Sequence, residues 1–222
     1  MCIRYSLVCI DNLCGRFRVV DPAIGFGPHF SIAPGSTNPV IVAHERAEAR
    51  MMQWGLVPHW ARDIISLHRP ANARAENLAE KPMFRELLHT RRCLVPASGF
   101  FEWKEQWGKK IPYYFHKPGD PVFAFAGLYD IWQNPAGMTL ATYTIITTPA
   151  NSVVAPVHHR MPAILRQEDE IRWVSREPIP LEEIHRILAP APPESLAVYA
   201  VSERVNDLQV DDERVIAPVQ GF

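Results

Sequence analysis

Along the chain, apolar positions first recur with a helical period. In "SLVCIDNLCGRFRV", Ile10, Leu13, Cys14 and Phe17 fall at i, i+3, i+4, i+7 spacing with Leu7 three residues ahead of them, which predicts an amphipathic helix. "GFGPHFSIAPGS" then reads as an irregular loop around a short strand, "NPVIVAH" and "ARMMQWGLV" as strands, and "PHWARD" as a turn away from the second. "NLAEKPMFRELLHTRR" predicts a helix with Phe84, Leu87 and Leu88 inward and a basic last turn that suits the helix dipole. The middle of the chain changes period. "CLVPASGFFEWKE", "PYYFHKP", "VFAFAGLYDIW" and "MTLATYTIITT" are rich in aromatic and β-branched residues and predict strands separated by Gly or Pro. "EDEIRWVS" and "LEEIHRIL" predict late helices and "LAVYAVS" a last strand. Strands follow strands with helices interspersed but not alternating, so the expected class is α+β: a largely antiparallel or mixed sheet, barrel-like at its core, with helices around it.

Composition narrows the function. With 222 residues, 47% hydrophobic and 21% charged, the chain can bury a sizeable core. Its 21 prolines are spread as punctuation rather than gathered into a linker, so residues 1–222 read as one domain. Lys and Arg total 23 against 24 Asp and Glu. This near-neutral balance excludes a global pull toward polyanions, and any nucleic-acid site must be a local patch. No apolar run reaches the roughly 20 residues of a membrane span, and Arg4 and Asp11 interrupt what would be a signal-peptide core. A cytoplasmic protein without a membrane partner is expected.

The four cysteines, Cys2, Cys9, Cys14 and Cys93, include no C-x-x-C pair and no histidine at ligand spacing, so neither a metal site nor a disulfide framework is expected. Cys9 and Cys14 read as small hydrophobes beside a buried face. Cys2 differs. Once Met1 is removed it presents an α-amine and a thiol on one residue, with ordinary pKa values near ~8 and ~8.5. An aldehyde can form a Schiff base with the amine and then be captured by the sulfur as a five-membered thiazolidine. The competing reading is a small second residue that permits methionine removal.

Three further stretches carry chemistry, each with a blander counterpart. In "RPANARAENLAE", Asn72, Arg74 and Glu76 alternate with alanines, and an extended backbone would place all three on one face, where they could bind phosphate or sugar or merely face solvent. "PASGFFEWKE" sets Glu102 between Phe101 and Trp103, where an apolar setting would raise its pKa toward neutrality and suit a general acid or base, unless it is an edge-strand carboxylate with its head in water. "TTPANSVVAPVHHRMPAIL" carries His158, His159 and Arg160 ahead of a predicted strand, as a proton shuttle beside an anion-holding arginine or as structural histidines.

Met-Cys at the N-terminus, "WGLVPHW" (Trp54 to Trp60), "NARAE" (Asn72 to Glu76), "GFFEW" (Gly99 to Trp103) and "HHRMP" (His158 to Pro162) occur in this order. Together with "VSERVND" (Val201 to Asp207) they resemble the SOS-response-associated peptidase family (SRAP), whose members crosslink to abasic sites in single-stranded DNA. The resemblance implies that Cys2 is the nucleophile, that Glu102 and His158 move protons, and that Asn72 orients the sugar and Cys2. It also implies that Arg4, Arg74 and Arg160 touch phosphate, that Thr147 lines the pocket, and that Pro34, Trp60 and Trp103 offer apolar or stacking surfaces to flanking bases. No cofactor or metal is implied. The expected partner is single-stranded DNA containing abasic sites, with replication-fork proteins nearby, and the protein is expected to act as a monomer at damaged DNA in the nucleoid.

The chain departs from the family pattern at three positions. Ile3 stands where the family has glycine in "M-C-G-R", and His29 and Ser31 replace an arginine and an asparagine in "R-Y-N-x-A-P". These changes put DNA affinity in question. "CGRF" at Cys14 to Phe17 mimics the family's opening, but starting there would delete most of the predicted first helix and shorten the distance to "IAPG". Two function classes remain: an abasic-site sensor that forms a thiazolidine crosslink through lyase-like Schiff-base chemistry, and a cysteine peptidase, at minimum removing its own Met1, with Cys2, His158 and Glu102 as nucleophile, base and orienting group.

Overall fold

The computed structural model describes residues 2–19, 25–43, 46–64 and 67–219. Met1, and His44 at the end of a predicted strand, lie outside them. In chain order the elements are β1 (Tyr5–Leu7), α1 (Leu13–Phe17), β2 (His29–Ile32), β3 (Thr37–Ala43), β4 (Ala47–Trp54), β5 (Asn72–Arg74), α2 (Pro82–Thr90) and β6 (Arg92–Ala97). There follow β7 (Gly99–Gln106), β8 (Lys109–His116), β9 (Phe123–Gln133), β10 (Thr139–Pro149), β11 (Arg160–Pro162), α3 (Gln167–Val174), α4 (Leu181–Ile187) and β12 (Ala197–Ala200).

The strands form two sheets. One runs β12-β8-β7-β1-β2, antiparallel throughout. In the other, β10, β4, β3, β6 and β9 follow one another, and the pairing of β9 with β10 closes them into a ring. Closure removes the exposed sheet edges that would otherwise invite association. One hydrophobic core joins the two sheets, with Tyr5, Phe100 and Phe115 from the first in the same cluster as Trp54, Phe125 and Tyr143 from the barrel. The α+β class with a barrel-like core is therefore observed.

Three local expectations change. The predicted first helix reaches only Leu13–Phe17, with a 3₁₀ turn at Ile10–Asn12 before it. Its first part is β1, all three residues of which are buried because the strand is paired on both sides, by β2 and β7. Tertiary pairing has overridden a helical period that Gly15 would also weaken.

The run from Cys93 to Glu105 is two strands in different sheets, with Ser98 at the corner. The turn requires Gly99, where an added Cβ would stand 2.3 Å from the Tyr114 ring. Tyr114 in turn exchanges a 2.8 Å hydrogen bond with Ser6, the register partner of Gly99. Gly99→Ala is thus expected to displace Tyr114 and destabilise the fold by about 2 kcal/mol, an overpacking cost, read as a lower urea midpoint at unchanged slope. The third change concerns "NARAE". Only Asn72–Arg74 is extended, and Glu76 sits in a 3₁₀ turn, Ala75–Asn77, so the three polar residues do not share one strand face.

The barrel strand β10 organises the site. Over its first part it pairs with β9 and β4, and toward its end these give way to β11 and β5. Thr147 lies in register with both Arg74 and Pro162, so two short strands from distant parts of the sequence are held at one end of the barrel. Among the described residues no helix is long and apolar enough to cross a membrane.

Candidate active site

Antiparallel pairing of β1 with β7 matches Tyr5 to Phe100 and Ser6 to Gly99. Continuing that register toward the N-terminus brings Ile3 opposite Glu102, and the Phe101 amide donates to the Arg4 carbonyl at 3.0 Å. Cys2 is fully buried. Its backbone carbonyl accepts a 2.8 Å hydrogen bond from Asn72 Nδ2, and its Sγ lies 3.6 Å from the Arg4 carbonyl. Asn72 thus ties the N-terminal residue of the first sheet to the β5 edge of the barrel. Its Oδ1 is buried without a hydrogen-bond partner, an acceptor held ready for a donor.

Glu102 is 3% exposed, and burial pushes its carboxyl up to about 7. Burial also raises the Cys2 thiol, and the neighbouring Glu102 charge raises it further. His158 Nδ1 stands 3.9 Å from Glu102 Oε1. The Arg160 amide donates to the same nitrogen at 3.0 Å. That nitrogen also lies 3.1 Å from the Arg160 carbonyl, so the backbone of one residue holds the ring, and burial lowers the His158 pKa, which favours the neutral form. His159 stacks on His158 with centroids 4.4 Å apart.

An open cleft of about 540 Å³ is lined by Ile3, Arg4, Glu102, Trp103, Glu105, Lys110, His158 and Asn206. Arg4 is anchored through a 2.7 Å bond from Nη1 to Ser31 Oγ, while its buried Nε has no partner. Trp103 is held by its indole N–H on Asn206 Oδ1 at 2.8 Å. The departures at 29 and 31 are therefore structurally employed: Ser31 holds Arg4, and His29 Nδ1 meets Asp211 Oδ2 at 2.5 Å.

The remaining predicted residues divide. Thr147 is buried, with its hydroxyl 3.4 Å from the Ala73 carbonyl. Arg160 is also buried, and it is occupied: it grips Glu76 with both terminal nitrogens, at 2.5 and 3.0 Å, and donates to the Thr147 carbonyl at 2.6 Å. That pairing holds the Glu76 carboxyl below its usual range, and it makes Arg160 a strut between β11 and the turn after β5 that simultaneously fixes the His158 ring. Arg74, Pro34 and Trp60 are exposed and lie outside the cleft lining, Pro34 in the turn after β2 and Trp60 in the turn after β4. Glu105, Lys110 and Asn206 were not singled out from the sequence. For the first, a signal existed, because Glu105 follows Trp103 at the period of two and so shares its face of β7. Asn206 is 103 positions from Trp103, and nothing local announces the contact.

A buried cysteine just ahead of β1 thus lies close to a buried glutamate and a histidine. The sequence profile of the SOS response associated peptidase (SRAP) family matches residues 1–208, and the chain belongs to that family. It is 37% identical over 212 residues to the abasic site processing protein YoqW of Bacillus subtilis, covering 93% of this chain and 94% of that protein. It is 30% identical to the abasic site processing protein HMCES of Gallus gallus, covering 93% of this chain and 68% of the relative. The crystal structure of a protein from Bacteroides thetaiotaomicron superposes with a TM-score of 0.90 at 30% identity, over 98% of this chain and 100% of that one.

Proposed function

We propose that this protein captures abasic sites in single-stranded DNA as a covalent thiazolidine on Cys2 after Met1 has been removed. The single observation that carries the reading is a buried Cys2 whose backbone is held by Asn72 and whose thiol feels the charge of the buried Glu102, itself pushed up to about 7. The α-amine of Cys2 adds to the open-chain aldehyde of the abasic sugar. Glu102 protonates the resulting carbinolamine hydroxyl, which leaves as water and yields the imine. The sulfur then adds to the imine carbon as its proton is taken up by Glu102, the imine nitrogen acquires a proton, and the ring closes. One C–N and one C–S bond form, and one water is lost. Removing the imine also removes the electron sink that would promote elimination of the 3′ phosphate, so the strand stays intact.

Asn72 orients the Cys2 backbone through the carbonyl it binds, and neutral His158 relays protons beside Glu102. Arg4 and Lys110 on the cleft wall and the exposed Arg74 offer charge to phosphates. Trp103, already oriented by Asn206, offers a stacking face. The peptidase alternative needs a thiolate at neutral pH. Burial and the Glu102 charge push the Cys2 thiol the other way, which favours chemistry that starts at the amine.

The test is to incubate the processed protein with a single-stranded oligonucleotide carrying one abasic site. A species that survives denaturation, with the summed mass of protein and DNA less one water, is the expected product; its absence refutes the proposal. A second expectation concerns Glu76. Glu76→Ala frees Arg160 and loosens the His158 ring it fixes, and is expected to slow adduct formation about tenfold, within the range for a mispositioned proton-transfer group, read by gel time course at fixed DNA concentration.

A further inference from the structure

The face of β7 that lines the cleft does not end there. β7 and β8 run on to a tight hairpin whose tip is Trp107-Gly108, with φ of +50° and +74°. Positive φ at both central residues is the signature of a type I′ turn, which favours Asn, Asp and Gly. Gly108 adopts it freely, but a bulky aromatic residue at Trp107 is strained. The same indole is 90% exposed. Trp107 therefore carries two costs, a disfavoured backbone and a bare aromatic surface, and burial within the chain offsets neither.

Its position suggests what does. Trp103, Glu105 and Lys110 line the cleft, and Glu105 pairs directly with Lys110 across the hairpin. The two-residue period carries that face from Trp103 through Glu105 to the tip. Trp107 lies four residues beyond Trp103, about 13 Å at ~3.3 Å per residue, which is the rise of about four stacked nucleotides. Lys104, Lys109 and Lys110 flank it on the hairpin and supply charge suited to phosphates.

We propose that Trp107 is a stacking finger for a base of the strand whose abasic sugar lies in the cleft, engaging it a few nucleotides away from the lesion. The inference rests on the proposed function for its ligand, single-stranded DNA, but concerns a contact remote from the reacting atoms. Every base has a π-face, so the contact is independent of sequence. A second foothold at a fixed distance also makes binding depend on the length of the strand.

The test uses Trp107→Asn, which creates no new side-chain bulk and gives the turn its preferred Asn-Gly pair. Undamaged single strands from about four to about twelve nucleotides are titrated at one salt concentration by fluorescence anisotropy. The wild type is expected to gain affinity as the strand reaches the finger, and the variant to lose about tenfold of that gain, an effect the stacking of one base accounts for. The shortest strands should bind both proteins equally, and Trp107→Phe should restore most of the gain. The variant should also melt a few degrees higher, as removal of turn strain predicts. Equal length dependence in the two proteins, or a lower melting temperature for Trp107→Asn, overturns the proposal. Failure of both proteins to form an adduct on abasic DNA instead overturns the proposed function, and leaves the length series to decide the finger by itself.

Discussion

Cys2→Ala is expected to reduce the denaturation-resistant adduct by roughly two orders of magnitude or more, because the captured aldehyde no longer meets a sulfur. Alanine is as small as cysteine, so Met1 removal is unaffected and the α-amine is still delivered to the same place. The variant can therefore form the imine but not close the ring. The expected signature is an intermediate trapped by borohydride in the variant and a rise in strand cleavage on standing, since an imine promotes elimination where a thiazolidine does not. Cys9→Ala and Cys14→Ala, which alter thiols that share no residue with the N-terminal amine, should leave the adduct at the wild-type level. Cys2 is fully buried, so the substitution also removes some packing; a melting curve separates that cost, of about 1 kcal/mol, from the lost chemistry. An adduct of equal yield and stability with Cys2→Ala would refute the assignment.

The legible parts of this fold are those where local pattern and tertiary context agree. Phe84, Leu87 and Leu88 mark the buried face of α2 and are buried there. Its start is set by Pro82, which is tolerated in the first turn of a helix and disfavoured deeper in. The aromatic, β-branched runs become β8, β9 and β10 because such side chains fit a pleated, buried surface. What the sequence does not show is long-range. β1 looks helical by period but is claimed by two neighbouring strands, and the corner at Ser98 depends on a tyrosine sixteen positions away that fits only against a glycine.

The site follows the same division. Cys2, Asn72, Glu102 and His158 stand out as residue types in unusual settings, and the packing of Asn72 on Cys2 and of His158 beside Glu102 gives them a common geometry. Arg160 is harder to read from its neighbours. An arginine beside two histidines suggests an anion ligand, yet its guanidinium is engaged by Glu76, whose place in the sequence suggested a strand face of its own. The pairing spans 84 positions and depends on β10 holding β5 and β11 on either side. The pair is only half-covered, with Arg160 buried and the Glu76 side chain 45% exposed, so solvent weakens its contribution to net stability, and what it does is position Arg160, whose backbone holds the ring of His158.

The second large effect is expected at Glu102. Replacing it with glutamine keeps the shape but removes the exchangeable proton, and adduct formation should slow by about a hundredfold or more, the usual contribution of a general acid–base. The pH profile gives the sharper test. In the wild type, the neutral amine is needed and increases toward its pKa near ~8, whereas the protonated carboxyl is needed and falls away above about 7. Their product is a bell centred between the two. Glu102→Gln loses the alkaline limb, so its residual rate should climb with pH and level off.

Stability moves the opposite way and gives an independent check. The folded-state pKa of Glu102 lies above its unfolded value near ~4.3, so the folded protein binds the extra proton between those two values. Its favourable contribution is complete below the unfolded pKa and is lost as pH rises through about 7. Glutamine carries no such proton, so the melting temperature of Glu102→Gln relative to wild type should rise between pH 5 and pH 8. A variant that is slower, flatter in its pH profile on the alkaline side and relatively more stable at high pH identifies Glu102 as the proton-transfer group. A bell-shaped profile surviving in Glu102→Gln would assign the acid elsewhere, with His158 the group to substitute next.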